Sequence, residues 1–227
     1  MSKNVIITGT SRGIGLELIK LFSNSGFNVL SLSRNITNAE KLNLNNTSCL
    51  SFDITKEEDH LLVNKFISNN WNSVDILINN AGLLINKNFQ DTTLKDFNDV
   101  YNTNVFGVAR LIQICLPFMK ENSQVVNISS IGGVQGSVKF PGLSAYSSSK
   151  GALITLTEML AEEYKELKIN FNVLALGAVQ TEMLEEAFPG YKASVSAKEM
   201  ADYIYDFSIK GSKIINGKIL QISSSTP

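Results

Sequence analysis

The sequence contains a single histidine, His60, and only two cysteines, Cys49 and Cys115, which lie far apart with no CxxC. A multi-histidine metal centre and a Ser-His-Asp hydrolase would each have to be built on that one histidine. Two scattered cysteines do not make a disulfide framework or a zinc knuckle, and they suit a reducing compartment. No metal is expected. His60 follows Asp59 in a charged segment and reads as a solvated helix residue. An excess of one charge is missing too, since 20 Lys and Arg against 21 Asp and Glu leave a formal net charge of −1. Nucleic-acid binding through bulk charge is not expected. No apolar run approaches the ~18 residues of a membrane span. The start, MSKN, leads into a short strand without the long apolar region or cleavage site of a secretory signal. These absences predict a soluble, cytoplasmic protein with neither nucleic acid nor membrane as partner.

What is present is a hydrophobic fraction of 44%, ample for a large core and incompatible with disorder. A length of 227 residues suits one large α/β domain or two small ones. With no repeat or linker visible, residues 1–227 are read as one domain. Seven short segments rich in Val, Ile and Leu read as strands: KNVIIT, FNVLSLS, SCLSFD, VDILINN, QVVNISS, INFNVLAL and GKILQIS. Being apolar on both faces, they predict strands buried on both sides of a parallel sheet. Helical patterns over 14–25, 56–69, 94–120, 145–167 and 197–208 alternate with them, as in a doubly wound sheet with helices on both faces. The Asn-rich segment 35–46 reads as a surface connection or weak helix. Two long connections, 131–144 and 177–196, follow the C-terminal ends of strands, where open α/β sheets bind ligands.

After the first strand comes TGTSRGIG, with glycines at Gly9, Gly13 and Gly15. One glycine permits the tight turn, one lets backbone approach a pyrophosphate and one packs helix on sheet. The helix that follows offers free N–H groups and the positive end of its dipole to phosphate. Far downstream, Tyr146 and Lys150 are four residues apart and share a helix face. An ammonium beside a phenol favours the phenolate. Bringing a tyrosine from its usual ~10 to neutrality takes about 4 kcal/mol. The second strand ends Leu32-Ser33-Arg34, where sites that take the 2′-hydroxyl ribose place an acid. An arginine there attracts a 2′-phosphate instead, which it can hold with two hydrogen bonds.

The motifs TGxxxGxG (8–15), Asp53-Ile54-Thr55, NNAG (79–82), NVFG (104–107), ISS (128–130) and YxxxK (146–150) occur in that order along nearly the whole chain. With them the sequence resembles the short-chain dehydrogenase/reductase family. The resemblance implies a Rossmann-type sheet of about seven mostly parallel strands. It also implies an NADP(H)-dependent oxidoreductase acting on a small carbonyl compound or alcohol, with NAD(H) as the lesser possibility. It makes Tyr146 the acid/base, with Lys150 beside it. Ser130 would be the hydrogen-bond partner of the substrate oxygen and Asn104 the holder of a water relay, while Ser129 supports the strand end. The cofactor is assigned to Gly9, Ser11, Arg12, Gly13, Ile14, Gly15, Ser33, Arg34, Asp53, Ile54, Asn80, Ala81, Gly82, Tyr146, Lys150, Gly177, Val179 and Thr181. Arg12 and Arg34 together would clamp the 2′-phosphate.

The chain departs from the family pattern in four places. Ser130 and Tyr146 are 16 residues apart, a long spacing, and Leu176-Gly177 replaces the usual Pro-Gly. The segment 181–196, which should cover the substrate, is short, and the terminal GKILQISSSTP lacks the usual Gly-Gly. A fairly open cleft is expected, walled by Val134, Phe140, Leu143, Met183, Phe188 and Tyr191. The resemblance further implies pairing through helices 94–120 and 145–167, giving a homodimer or homotetramer. Two other readings stay open: a 3-oxoacyl carrier-protein reductase, and a non-catalytic NADP-sensing or interaction protein.

Overall fold

The computed structural model describes residues 2–211 and 214–224. The strands in chain order are β1 (Asn4–Thr8), β2 (Asn28–Ser33), β3 (Thr47–Ser51), β4 (Ile76–Asn79), β5 (Gln124–Ser130), β6 (Asn170–Leu176), β7 (Val179–Gln180), β8 (Val195–Ser196) and β9 (Ile219–Ile222). The helices are α1 (Gly13–Asn24), α2 (Thr37–Lys41), α3 (Glu57–Asn70), α4 (Leu94–Tyr101), α5 (Gly107–Cys115), α6 (Ser144–Glu163), α7 (Glu182–Ala187) and α8 (Ala197–Lys210). Among the described residues, the seven segments read as strands form one sheet in the order β3-β2-β1-β4-β5-β6-β9. Every neighbouring pair in it is parallel. Chain order reverses at β1, and the crevice beyond the C-terminal ends of β1 and β4 is the place where such sheets take ligands. The short strands β7 and β8 pair separately, in parallel, at the base of the 181–196 excursion.

Strand periodicity sorts the core into two layers. Val5 and Ile7 pack with Leu18 and Phe22 of α1 and Ile204 of α8. Ile6, one residue out of phase, packs with Val63 of α3, Leu111 of α5 and Leu153 of α6. A strand covered by helices on both faces needs apolar residues at every position, which is why β1 reads VII without alternation. Burial on both sides fails at the sheet edges. There β3 and β9 are largely half-exposed, because an edge strand has a neighbour on one side only. Residues 225–227 of the terminal GKILQISSSTP, and Met1 of the starting MSKN, lie outside the described residues.

Two further expectations are corrected. The helix read over 94–120 is not continuous: α4 passes through a π-turn at Asn102–Phe106 into α5, and a 3₁₀ turn closes it at Leu116–Phe118. Pro117 cannot continue the helical ladder, and the π-turn inserts one residue where Asn104 must point inward. His60 is buried, not solvated, at 2% exposure. Its Nε2 lies 2.9 Å from the Ile54 carbonyl and its ring meets Phe52 edge-on. Burial lowers its pKa from the usual value, the Ile54 hydrogen bond opposing. Of 35–46, residues Thr37–Lys41 form the short helix α2.

Polar groups inside the sheet tie it to α6. Asn79 Nδ2 donates to Asn127 Oδ1 at 2.8 Å, and Asn127 Nδ2 donates to Thr157 Oγ1 at 2.9 Å. Thr157 in turn donates to the Leu153 carbonyl at 2.7 Å. Buried polar groups are tolerated when they are satisfied by one another, and such a chain fixes the position of one element against the next. Here it fixes α6, the helix that carries Tyr146 and Lys150.

Candidate active site

The turn after β1 is held from three sides. Gly9 donates its N–H to the Leu32 carbonyl at 2.8 Å, and Asn80 Nδ2 donates to the Thr8 and Gly9 carbonyls at 3.0 and 3.2 Å. The N–H groups of Asn80 and Ala81 both reach Thr8 Oγ1, at 3.0 and 2.9 Å. Gly9 has φ +71° and Gly13 φ +56°, a region that favours glycine. A Cβ on Gly9 would lie 2.8 Å from Ala81 Cα, and one on Gly15 only 2.2 Å from the Gly9 carbonyl oxygen. Gly15 therefore serves the cradle from behind, by letting α1 press against the turn. We expect Gly15→Ala to destabilise the fold by about 1–3 kcal/mol through overpacking. That lowers the melting temperature by several degrees, and nucleotide affinity should fall with it. Thermal unfolding and a binding titration check this.

Helix α1 begins with no side-chain cap and no acid in its first turn. Its leading N–H groups are the orphan donors that an oxyanion satisfies. The cradle thus fits a pyrophosphate, and Arg12 and Arg34 line the same cleft, whose volume is about 1090 Å³. Of the residues expected at the site, Gly15 and Asn104 do not line this cleft; the others do. Asp53 accepts from the Thr55 N–H and hydroxyl at 3.0 and 2.8 Å, while its own N–H goes to Asp59. Burial pushes the Asp53 carboxyl up, but the Thr55 hydrogen bonds and the nearby Arg34 and Lys56 charges carry it below its usual pKa. Gly177 donates to the Ile222 carbonyl at 2.8 Å, and Thr181 caps α7 by accepting from the Leu184 N–H.

At the deep end, Tyr146 and Ser130, which ends β5, line the same cleft, and the Ser130 hydroxyl acts to lower the Tyr146 pKa. Lys150 is buried, its Nζ 5.7 Å from the Tyr146 ring centroid and donating to the Ile128 carbonyl at 2.8 Å. Ser129 donates to the Lys150 carbonyl at 2.9 Å, the supporting contact expected of it. Asn104 accepts from the Leu83 N–H at 2.8 Å and donates to the Leu83 carbonyl and Ser149 Oγ at 2.9 Å each. Both donors of Asn104 are thus engaged, so a water beside it would rest on Oδ1 or the backbone.

In the chain without cofactor, burial dominates the electrostatics of both groups. Burial pushes Tyr146 up to about 12, with only the Ser130 hydrogen bond opposing. Burial also brings Lys150 down to about 8. The ammonium sits over the phenol ring and spends a proton on Ile128, so in the chain alone Tyr146 remains protonated.

Two contacts fix helix α7 beside the cleft. Helix α7 is strapped on one side by Arg12, which gives both terminal guanidinium nitrogens to Glu186. On the other side Asn86 Nδ2 donates to the Ala187 carbonyl at 2.9 Å. Of the expected walls, Phe140, Leu143, Met183, Phe188 and Tyr191 line the cleft. Val134 does not. Ser137 donates to the Val134 carbonyl, curling the loop so that Val138 takes the position.

The family model for short chain dehydrogenases matches residues 3–192. The chain belongs to the short-chain dehydrogenase/reductase family. A relative described as carbonyl reductase family member 4, from Xenopus laevis, is 32% identical over 190 residues, covering 82% of this chain and 79% of that protein. The solved structure of ElxO with NADP bound is 29% identical, with a TM-score of 0.84 and 98% of each chain covered. A 3-ketoacyl-(acyl-carrier-protein) reductase from Brucella melitensis complexed with NADH is 25% identical, with a TM-score of 0.86, 98% of this chain and 97% of that one covered. As a member of this family the chain is an oxidoreductase with a Rossmann-type parallel sheet. Among the described residues, no helix is long and apolar enough to cross a membrane.

Sequence reading missed the residues that hold the site rather than line it: Ser149, Asn86, Glu186 and the pair Asn127 and Thr157. Asn127 carried one signal, a polar residue in the middle of a buried apolar strand. Asn86 and Glu186 carried none, since each meets a partner roughly a hundred residues or more away.

Proposed function

We propose that this protein is an NADP(H)-dependent reductase of uncharged, largely apolar ketones or aldehydes, running the alcohol oxidation in reverse, with residues 1–227 as one catalytic domain. The observation that carries the reading is the Ser130–Tyr146–Lys150 cluster, set in the same cleft as the glycine cradle. The reduced nicotinamide, when bound, supplies the hydride. Gly9, Gly13, Ser11, Ile14 and the first turn of α1 hold the pyrophosphate. Arg12 and Arg34 take the 2′-phosphate, next to Ser33, and Asp53 and Ile54 flank the adenine. Asn80, Ala81, Gly82, Gly177, Val179 and Thr181 line the nicotinamide half. Ser130 donates a hydrogen bond to the substrate carbonyl oxygen, and Tyr146 Oη gives that oxygen its proton. A tyrosine held at about 12 is fully protonated at neutral pH, which suits the reductive direction. Lys150 stabilises the phenolate left behind, and Asn104, through Ser149 and Leu83, steadies the helix turn beside it.

Apolar substrates are favoured because Leu84, Val138, Phe140, Leu143, Met183 and Phe188 line the outer cleft. Among its described lining residues the cations are Arg12, Arg34 and Lys150, which leaves none for a substrate carboxylate. A 3-oxoacyl carrier-protein reductase is less well supported, because the cleft lining offers a phosphate-bearing arm the carboxylate of Glu182 and, beyond Arg12, Arg34 and Lys150, no cation among the described residues. Exposed Leu94, Phe106 and Met159 on α4, the π-turn and α6 support self-association through those helices, as a dimer or tetramer.

The test is NADPH oxidation by purified protein across apolar ketones, apolar aldehydes and keto acids. We expect turnover with the apolar compounds and little with the keto acids. Lys150, lowered to about 8, is charged below that pH and neutral above it, so log kcat/KM for reduction should fall as pH rises past about 8. NADPH binding without oxidation anywhere in the panel, with Tyr146→Phe indistinguishable from wild type, would favour the sensor reading instead.

A further inference from the structure

The guanidinium of Arg12 is already occupied. Both of its terminal nitrogens go to the Glu186 carboxylate on α7, Nη2 at 2.8 Å from Oε2. Glu182, one helical turn earlier, adds its charge to the same arginine, and a Cβ on Gly13 would lie 3.5 Å from Glu182 Oε2. Thus one face of α7 presses two carboxylates onto the glycine turn. Glu185, between them in sequence, is exposed and makes no ion pair among the described residues. The same end of α7 has a second tether, Asn86 Nδ2 donating to the Ala187 carbonyl at 2.9 Å, which does not involve Arg12. A guanidinium edge that chelates a carboxylate cannot chelate a phosphate at the same time, and the two anions repel.

We infer that Glu186 is a specificity-determining residue for the nucleotide: it competes with the 2′-phosphate for Arg12, so that NADP(H) releases the α7 end of the lid and NAD(H) leaves it latched. The inference rests on the assignment of Arg12 to the 2′-phosphate. The competition works in both directions by linkage: whatever stabilises the latch weakens the phosphate-bearing nucleotide, and that nucleotide loosens the lid by the same factor. The pair is solvent-exposed, with side chains 43% and 63% accessible, so the effect is modest.

The experiment measures the dissociation constants of NADPH and NADH, without substrate, for wild type, Glu186→Gln, Glu185→Gln and Arg12→Ala. Glu186→Gln should tighten NADPH by about two- to fivefold and leave NADH unchanged. Glu185→Gln removes the same charge from the same helix without touching Arg12, and should change neither. In wild type, amide exchange over residues 182–187 should speed up with NADPH and not with NADH. Equal tightening of both nucleotides by Glu186→Gln, or an equal response of NADPH to Glu185→Gln, overturns the inference in favour of general charge repulsion. No response to Glu186→Gln overturns it as well. If Arg12→Ala leaves NADPH affinity unchanged, the phosphate assignment itself has failed. If Arg12→Ala weakens NADPH while Glu186→Gln does nothing, only the competition has failed.

Discussion

Replacing Tyr146 by phenylalanine should lower kcat for carbonyl reduction by about 10²–10⁴-fold while leaving NADPH affinity unchanged. The substitution removes one atom, Oη, and keeps the ring over which Lys150 sits. Binding through the glycine cradle and the arginines does not use that atom. Ser130 faces the same cleft and keeps its contact with the Gly132 N–H, so stability changes by no more than about 1 kcal/mol. What is lost is the proton source, because no other acid reaches the position: Lys150 points at the Ile128 carbonyl, and Asn104 has both donors engaged. Single-turnover reduction with bound NADPH reads the chemical step directly. A variant that keeps more than about a tenth of the wild-type rate would remove Tyr146 from the role of acid.

The second large effect is expected at Arg34. No ion pair engages it among the described residues, unlike Arg12, whose gain from a phosphate is offset by the loss of Glu186. A charge-assisted hydrogen-bonded pair contributes about 1.5–3 kcal/mol, or about 10–150-fold in affinity. Arg34→Ala should weaken NADPH by that factor, change NADH little, and exceed the effect of Arg12→Ala. Titration with both nucleotides checks this, and an equal loss for NADPH and NADH would show that Arg34 does not read the phosphate. The 2′-phosphate contact should also weaken with ionic strength, since both arginines lie in a cleft open to salt.

Much of this site is legible in the chain because its parts are local. The glycine turn is three residues whose missing side chains mark where backbone must come close, and Tyr146 and Lys150 mark a helix face by their spacing alone. The strands announced themselves by being apolar without alternation, the mark of burial on two sides. The edges β3 and β9 could not be told from the centre, because edge position is a property of the neighbours. The break at Asn102–Phe106 was hidden for a similar reason, since a helix-forming sequence reads as continuous until a buried asparagine has to be turned inward. His60 was misplaced because its neighbours in sequence are charged, whereas its neighbours in space are Phe52 and the Ile54 carbonyl.

By itself, the sequence determined the parallel sheet, the alternation of its strands and helices, the glycine turn and the Tyr146–Lys150 pair on one helix face, each written within a few consecutive residues or one helical turn. Only the tertiary structure decided where the Lys150 ammonium points, because whether it faces the Tyr146 oxygen or the Ile128 carbonyl depends on burial and direction. It also decided that, among the described residues, Arg12 is ion-paired and Arg34 is not, since Arg12 and Glu186 are 174 residues apart and meet only when the lid folds back over the first turn. Interactions that act over a few ångströms between distant parts of a chain leave no periodicity behind them, and the pairing of Arg12 with Glu186 is one of these.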